Sequence, residues 1–292
     1  MTVEELIVRC AQRLETAGVC FGHGTQNAAD EAAWLVLWRL GLPLDADAAL
    51  TVRTASDEEI SQVQALVQQR IQTRQPAAYL TGEAWLQGLP FFVDHRVIVP
   101  RSLIAEPLAD GTLDLWLSPQ TRRVLDLCTG NGSLAVLAAL AWPEVEVLGT
   151  DLCAAALEVA QLNVERHGLQ DRITLAQGDG LAAASGRFDL ILCNPPYVNA
   201  QSMAGLPPEY KAEPALALAG GSDGMDFIRA LLAQVHEHLN RDGVLVLEIG
   251  HERLHFEAAF PHLPVLWLPT SAGDEQVLLI EQAALTPKAV TP

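Results

Sequence analysis

The chain has 292 residues, half of them hydrophobic, with 36 acidic and 18 basic side chains and a formal charge of −18. That length suits one large domain plus a smaller one, and the composition indicates a packed globular structure. The excess of negative charge repels phosphate backbones, so nucleic acid is disfavoured as a direct partner and a basic protein suits the chain better.

From Thr2 to about Thr73 the spacing is helical: Leu6, Cys10 and Leu14 form one apolar stripe, and Trp34, Leu37 and Trp38 another. Ser56-Asp57-Glu58-Glu59 opens a further helix, because Ser56 can cap it and Glu59 completes a capping box. Ile60, Val63, Leu66 and Val67 share one of its faces. A small helical domain over residues 1–82 is therefore expected. Residues 84–99 change period: Trp85-Leu86, a turn around Gln87-Gly88-Leu89-Pro90 and an extended run from Phe91 to Val99 read as a β-hairpin, a linker over 83–105. From Arg123 on, apolar strands (124–127 and 145–150) alternate with helices from Ser133 and through Cys153 to Arg166. Residues 173–176, 190–193 and 244–249 supply three further strands, and 277–280 a final short one. Such alternation predicts an α/β, Rossmann-like parallel sheet over 106–285, followed by a mobile tail over 286–292.

In an open parallel sheet, ligands bind beyond the carboxyl ends of the strands. The loop after the first strand reads Asp126-Leu127-Cys128-Thr129-Gly130-Asn131-Gly132-Ser133, where Gly130 and Gly132 let a ligand approach the main chain. The next strand ends at Asp151, whose carboxylate can accept from both ribose hydroxyls of a nucleoside or cap the following helix. Asp179, in Gln177-Gly178-Asp179-Gly180, can accept from an adenine amino group or form a turn. The first loop by itself leaves S-adenosylmethionine and a dinucleotide both open, because Ala135 at the last fingerprint position is tolerated.

The fourth strand separates them. Phe188-Asp189-Leu190-Ile191-Leu192-Cys193 runs into Asn194-Pro195-Pro196-Tyr197, where two prolines fix the backbone and leave carbonyls free as acceptors. A planar NH2 group placed there can donate one proton to the Asn194 side-chain oxygen and the other to the Pro195 carbonyl. Both acceptors raise electron density on a delocalised nitrogen as it attacks a sulfonium methyl, and no strong base is required. Tyr197 can stack on the planar group.

Asp126 to Gly132, Asp151 and Asn194 to Tyr197 resemble the methyltransferases of planar nitrogens, both DNA adenine and protein glutamine enzymes. Over nearly its full length the chain resembles the protein glutamine N-methyltransferase family. The helical start, Gln75-Pro76-Ala77-Ala78-Tyr79-Leu80-Thr81-Gly82, the hairpin ending Val99-Pro100-Arg101-Ser102, Glu213-Pro214-Ala215-Leu216-Ala217-Leu218 and Gly220-Gly221-Ser222-Asp223-Gly224 carry the match. One branch of that family acts on the Gly-Gly-Gln motif of release factors and usually has Pro-Arg-Pro-x-Thr-Glu after the hairpin and glycine at the position of Cys128. Pro100-Arg101-Ser102-Leu103-Ile104-Ala105-Glu106 and Cys128 look instead like the branch that acts on large-subunit ribosomal protein L-three.

The resemblance implies an S-adenosylmethionine-dependent enzyme that methylates a glutamine amide in that basic ribosomal protein. Release factors and, more distantly, nucleic-acid adenine are the alternative substrates. It implies catalysis on Asn194, Pro195, Pro196 and Tyr197, and donor binding by Asp126, Cys128, Thr129, Gly130, Asn131, Gly132, Asp151, Asp179, Gly180 and Asn194. Residues 1–82 and the hairpin would select the substrate. Glu106 and Glu213 rank below Asn194, as pocket residues or structural salt-bridge partners.

Other signals receive structural readings. His251-Glu252-Arg253-Leu254-His255 matches a zinc-protease pattern but directly follows an apolar strand, so a sheet-packing helix and no metal are expected there. His236 and His238 lie near a helix end that Asn240-Arg241-Asp242-Gly243 terminates, where they complement the helix dipole. The five cysteines, Cys10, Cys20, Cys128, Cys153 and Cys193, lack close pairs, which argues for a reducing compartment. The amino terminus lacks a secretory pattern and no apolar run is long enough to span a bilayer, so a cytoplasmic protein without a membrane partner is expected.

Overall fold

The computed structural model describes residues 1–45 and 52–285. The expected tail over 286–292 lies outside the described residues. Helices α1 (Val3–Thr16), α2 (Ala28–Arg39) and α3 (Asp57–Thr73) pack Leu6, Cys10 and Leu14 against Trp34, Leu37, Val63 and Val67 in one apolar core. Ser56 and Glu59 form the predicted capping box on α3, and Thr2 and Glu5 form a second on α1. Trp38 departs from its predicted stripe: it is 37 % exposed, and Leu35 and Val36 are buried in its place.

After α4 (Ala77–Thr81) come β1 (Glu83–Leu86) and β2 (Leu89–Phe92), an antiparallel pair. The turn is the two-residue Gln87-Gly88, both with positive φ, rather than the four residues expected, because that geometry matches the twist of the paired strands. The second strand also stops at Phe92 instead of continuing to Val99. Asp94 takes the Arg96 backbone N–H on its side chain at 3.0 Å and the Val97 N–H on its carbonyl at 3.1 Å, turning the chain out of extension. The segment straddles two cores: Ala84, Val93, Val97 and Val99 join the helices, while Phe91, Ile104 and Ala105 join the sheet.

The large sheet contains β3 (Arg123–Leu127), β4 (Glu146–Asp151), β5 (Ile173–Gln177), β6 (Phe188–Cys193), β7 (Leu239–Glu248), β8 (Leu266–Thr270) and β9 (Gly273–Glu281). Their order is β5-β4-β3-β6-β7-β9-β8, and β9 alone runs against the others. Side chains alternate between faces as the pleat requires. Val124, Leu190, Leu192, Val244 and Val246 meet the helix Ser133–Ala141 in one core. Leu125, Leu127, Ile191, Leu245 and Leu247 meet Ile228 and Leu231 of the helix Asp226–Gln234 in the other.

One expectation is corrected here and one strand is added. Strand β8 lies outside the expected strands; it contains Pro269 and lies at the sheet edge, where a missing N–H is tolerated. Asn240 to Gly243 do not terminate a helix, which already ends at Gln234; they lie in β7, where the register shifts opposite Phe188 and Leu190. A Cβ on Gly243 would lie 2.9 Å from the Phe188 carbonyl oxygen, so close strand contact accounts for this glycine.

Candidate active site

Beyond the carboxyl ends of β3, β4 and β6 lie two cavities that share Ile98, Asn194 and Ala217 as a common wall. The smaller one is lined by Cys128, Gly130, Asp151, Asp179, Gly180 and Pro196, bringing together residues from the carboxyl ends of four strands, β3 to β6. After β3 the chain turns sharply, with Cys128 at φ 61° and Gly130 at φ 56°. The turn points the Gly130 N–H at Asp151 Oδ2, 3.0 Å away, while the Cys153 N–H donates to Oδ1 at 2.8 Å. Burial pushes the Asp151 carboxyl above its ordinary range against these backbone bonds. Each oxygen retains acceptor capacity toward the cavity. The exposed Asp179 side chain has no protein partner among the described residues.

Four expected donor-binding residues sit behind this wall. Asp126 is 1 % exposed and accepts from Thr129 Oγ1 at 2.5 Å and the Ala135 N–H at 3.0 Å. Burial pushes its carboxyl up to about 7 in spite of those bonds, helped by the nearby Asp151. Asn131 accepts from the Ser133 N–H, and its carbonyl accepts from Asn163 Nδ2 at 2.8 Å. A Cβ on Gly132 would come within 3.2 Å of Ala160, so this glycine allows two helices to approach. Asp126, Thr129, Asn131 and Gly132 thus brace the loop from behind.

Asn194 lines both cavities, Pro196 the smaller, and Pro195 and Tyr197 the larger. Among the described residues neither the Asn194 side chain nor the Pro195 carbonyl has a hydrogen-bond partner, which leaves two acceptors at the junction. The loop itself is tightly held. Val198 bonds to Leu218 and Gly220 through the backbone, and Asn199 Nδ2 donates to Glu252 Oε1 at 2.6 Å. A Cβ on Gly224 would meet the Tyr197 carbonyl oxygen at 2.2 Å, and one on Gly250 would meet the Tyr197 ring at 2.4 Å. The residue 220–224 segment is therefore glycine-rich because it clamps this loop. Glu252 belongs to the His251–His255 segment, but the helix begins only at Arg253, so the two histidines do not project from one helical turn.

The larger cavity encloses about 580 Å³ and has a wall from the α1–α2 connection, with Gly22, Gly24, Thr25 and Gln26. Ion pairs between distant segments hold that wall in place. Glu209, fully buried in the short helix Pro208–Lys211, accepts from the Cys20 N–H at 3.1 Å and from Arg74 at 3.0 Å, with Arg70 at 3.5 Å. Arg70, itself fully buried, also donates to Glu31 at 2.9 Å. Tyr210 packs on His23 with ring centroids 4.3 Å apart. Glu213 takes both guanidinium nitrogens of Arg101 at 2.7 Å and the Val99 N–H at 2.9 Å, and lies 3.4 Å from His23 Nε2. Burial would raise the Glu213 carboxyl, but His23 and Arg101 outweigh it and hold the group at about 2. Glu106 accepts from the Ser271 N–H and hydroxyl, closing the cavity's far side. At its floor the 4 % exposed Glu248 accepts from Tyr197, Ser102 and the Leu103 N–H. Sequence reasoning found Glu106 and Glu213 but missed Ile98, Tyr210 and Glu248 as site residues; none lies in a local pattern that marks it.

Residues 111–206 match the model of the methyltransferase small domain. In solved structures, the hMettl16 catalytic domain crystallised with a 3′UTR hairpin shares the fold, with a TM-score of 0.52 and 16 % identity, covering 83 % of this chain and 88 % of that one. A ribosomal protein uL3 glutamine methyltransferase of Bordetella pertussis is 54 % identical, across 97 % of this chain and 96 % of its own. Proteins of the same name from Burkholderia pseudomallei and Neisseria gonorrhoeae are 50 % and 44 % identical, each across 97 % of this chain and 95 % of their own. At such identity over nearly the whole length of both partners, the chain belongs to the ribosomal protein uL3 glutamine methyltransferase family.

Proposed function

We propose that the chain methylates the side-chain amide nitrogen of a glutamine in ribosomal protein uL3, with S-adenosylmethionine as donor. The observation that carries this reading is Asn194, a polar side chain without a hydrogen-bond partner among the described residues, on the wall that a cofactor-sized recess shares with a substrate-sized one. The smaller cavity suits the donor: Asp151 offers acceptors for ribose hydroxyls, and Asp179 one for an adenine amino group. Cys128, Gly130 and Gly180 border the same space, whereas Asp126, Thr129, Asn131 and Gly132 act by shaping the loop. When bound, the donor supplies an electrophilic methyl group on a sulfonium.

The chain's own residues do the rest. Asn194 Oδ1 and the Pro195 carbonyl accept hydrogen bonds from the two amide N–H groups, which orients the nitrogen toward the smaller cavity and raises its electron density; the product keeps one of these hydrogens and the other leaves as a proton to water. Pro195 and Pro196 keep those acceptors rigid, so little reorganisation accompanies the transfer. Tyr197 covers the amide plane from the larger cavity. Residues 1–82 and the hairpin select the protein substrate, supported by the wall that Gly22 to Gln26 contribute. The net charge of −18 speeds encounter with a basic ribosomal protein.

Incubating the enzyme and labelled donor with unmethylated uL3, with a release factor and with DNA in parallel tests the assignment. Label is expected on one uL3 glutamine; label only on the release factor or on DNA overturns it.

A further inference from the structure

We propose that Glu248 is a positioning residue for methyl transfer, acting through Tyr197 to fix the surface on which the substrate amide lies. The inference rests on the role given above to Asn194 through Tyr197. Glu248 ends β7 and borders the larger cavity, yet is only 4 % exposed. Its Oε1 accepts from the Tyr197 hydroxyl at 3.1 Å, and its Oε2 accepts from the Ser102 hydroxyl at 2.6 Å and the Leu103 N–H at 2.9 Å. The Tyr197 hydroxyl has no other hydrogen-bond partner among the described residues. Gly250, two residues further on, leaves the space in which the ring sits. The end of β7 thus provides both the seat of the ring and its tether.

Three donors converge on one carboxylate, and only the ionised form accepts from all of them. A protonated carboxyl carries its own O–H, which the Tyr197 or Ser102 hydroxyl can accept, so that bond reverses direction and loses its charge assistance. Burial pushes this carboxyl above its ordinary range, opposed by Ser102, Tyr197, Leu103 and the Arg101 guanidinium. The titratable groups around it are Arg101 on the segment after the hairpin, and Cys193 and Tyr197 on β6 and its loop; Glu213 acts on Tyr197 from beyond Arg101. Activity should therefore fall with acid as Glu248 gains its proton and its charge-assisted hold on the ring weakens.

The test compares wild type, Tyr197→Phe, Glu248→Gln, the double variant and Ser102→Ala for rates on uL3 across pH, with donor affinity measured by calorimetry. Tyr197→Phe keeps the ring and loses only the tether. It is expected to lower kcat about tenfold with KM and donor affinity nearly unchanged, and to flatten the acid limb. The double variant should lose less than the product of the two single losses, because Tyr197→Phe removes the link that Glu248→Gln weakens. Ser102→Ala should cost less than about threefold, since the tether survives. A Ser102→Ala loss equal to that of Glu248→Gln, beside a Tyr197→Phe rate and pH profile like wild type, reduces Glu248 to a staple for residues 102–103 and overturns the proposal. Additive losses in the double variant do the same. Should Glu248→Gln not fold, the Tyr197→Phe and Ser102→Ala pair decides alone. Wild-type transfer with an unaltered Tyr197→Phe overturns the positioning role and leaves the enzyme's function standing; no wild-type transfer to uL3 overturns both.

Discussion

The cavity around Asp151 is assembled from near neighbours in the chain, with polar contacts spanning 2, 3 and 21 residues for Cys153–Asp151, Thr129–Asp126 and Gly130–Asp151. The cavity around Tyr197 is assembled from distant ones, at separations of 112, 146 and 189 residues for Arg101–Glu213, Ser102–Glu248 and Cys20–Glu209. The first is mostly main chain bonding to a carboxylate, fixed as soon as the sheet forms. The second joins buried carboxylates to partners on the segment after the hairpin and, at Glu209, to the amino-terminal helical region. If the first takes the donor and the second the protein substrate, donor binding can persist while the substrate wall opens.

The sharpest way to break that distinction is Arg70→Met. It leaves Glu31 without its cation and Glu209 with only Arg74, inside a region where both carboxylates are buried. Removing one partner of a buried ion network costs about 3–5 kcal/mol, read as a lower midpoint in urea. Donor affinity of the folded fraction should hold while transfer to uL3 falls, and equal loss of both would show that the two cavities are not separable. Asn194→Ala acts at their common wall. It should lower kcat about a hundred- to a thousandfold, as removal of a preorganised polar group at a reacting centre does, with donor affinity by calorimetry changed far less.

The same contrast explains what the sequence made legible. The glycine loop, Asp151 and Asn194 to Tyr197 follow strand ends whose apolar runs are visible, so their convergence follows from the topology of a parallel sheet. Glu248 is equally a strand-end residue, but its meaning depends on Tyr197 and Ser102, which no spacing rule links to it. Glu209 shows only a carboxylate between Pro208 and Tyr210 until α3 delivers Arg70 to it and the residue capping that helix, Arg74, joins it. Strand β8 was hidden for another reason, since a proline is permitted only by its edge position, a property of the completed sheet.

Glu213 offers a gentler probe of the second cavity through pH. Its carboxyl is held at about 2 in the folded chain, against 4.5 as its ordinary value. A carboxyl depressed on folding adds stability above the ordinary value, and that contribution drains away as pH falls from 4.5 toward 2. Wild type should therefore lose stability across that acid window more steeply than Glu213→Gln, which lacks the titrating group. Parallel curves from urea melts at several pH values would mean that Arg101 and His23 do not stabilise the charged form.

The smallest effect is expected in the first cavity, at Cys128, whose φ of 61° lies in the left-handed region that side chains resist. A left-handed backbone costs a residue with a Cβ roughly 1–2 kcal/mol, whereas glycine adopts it freely. Against that relief, Cys128→Gly loosens the unfolded chain by about 0.4–1 kcal/mol and removes a thiol that lines the smaller cavity. The balance favours the glycine variant by somewhat under about 1 kcal/mol, a rise in melting midpoint of roughly 1–3 °C at this chain length. Because the neighbouring contacts are main-chain bonds to Asp151, donor affinity should change little. If the variant is instead less stable, the Cys128 side chain contributes more through its packing beside the buried Cys193 than its backbone strain costs. Local backbone geometry would then no longer suffice to describe the first cavity, and the contrast with the second would narrow.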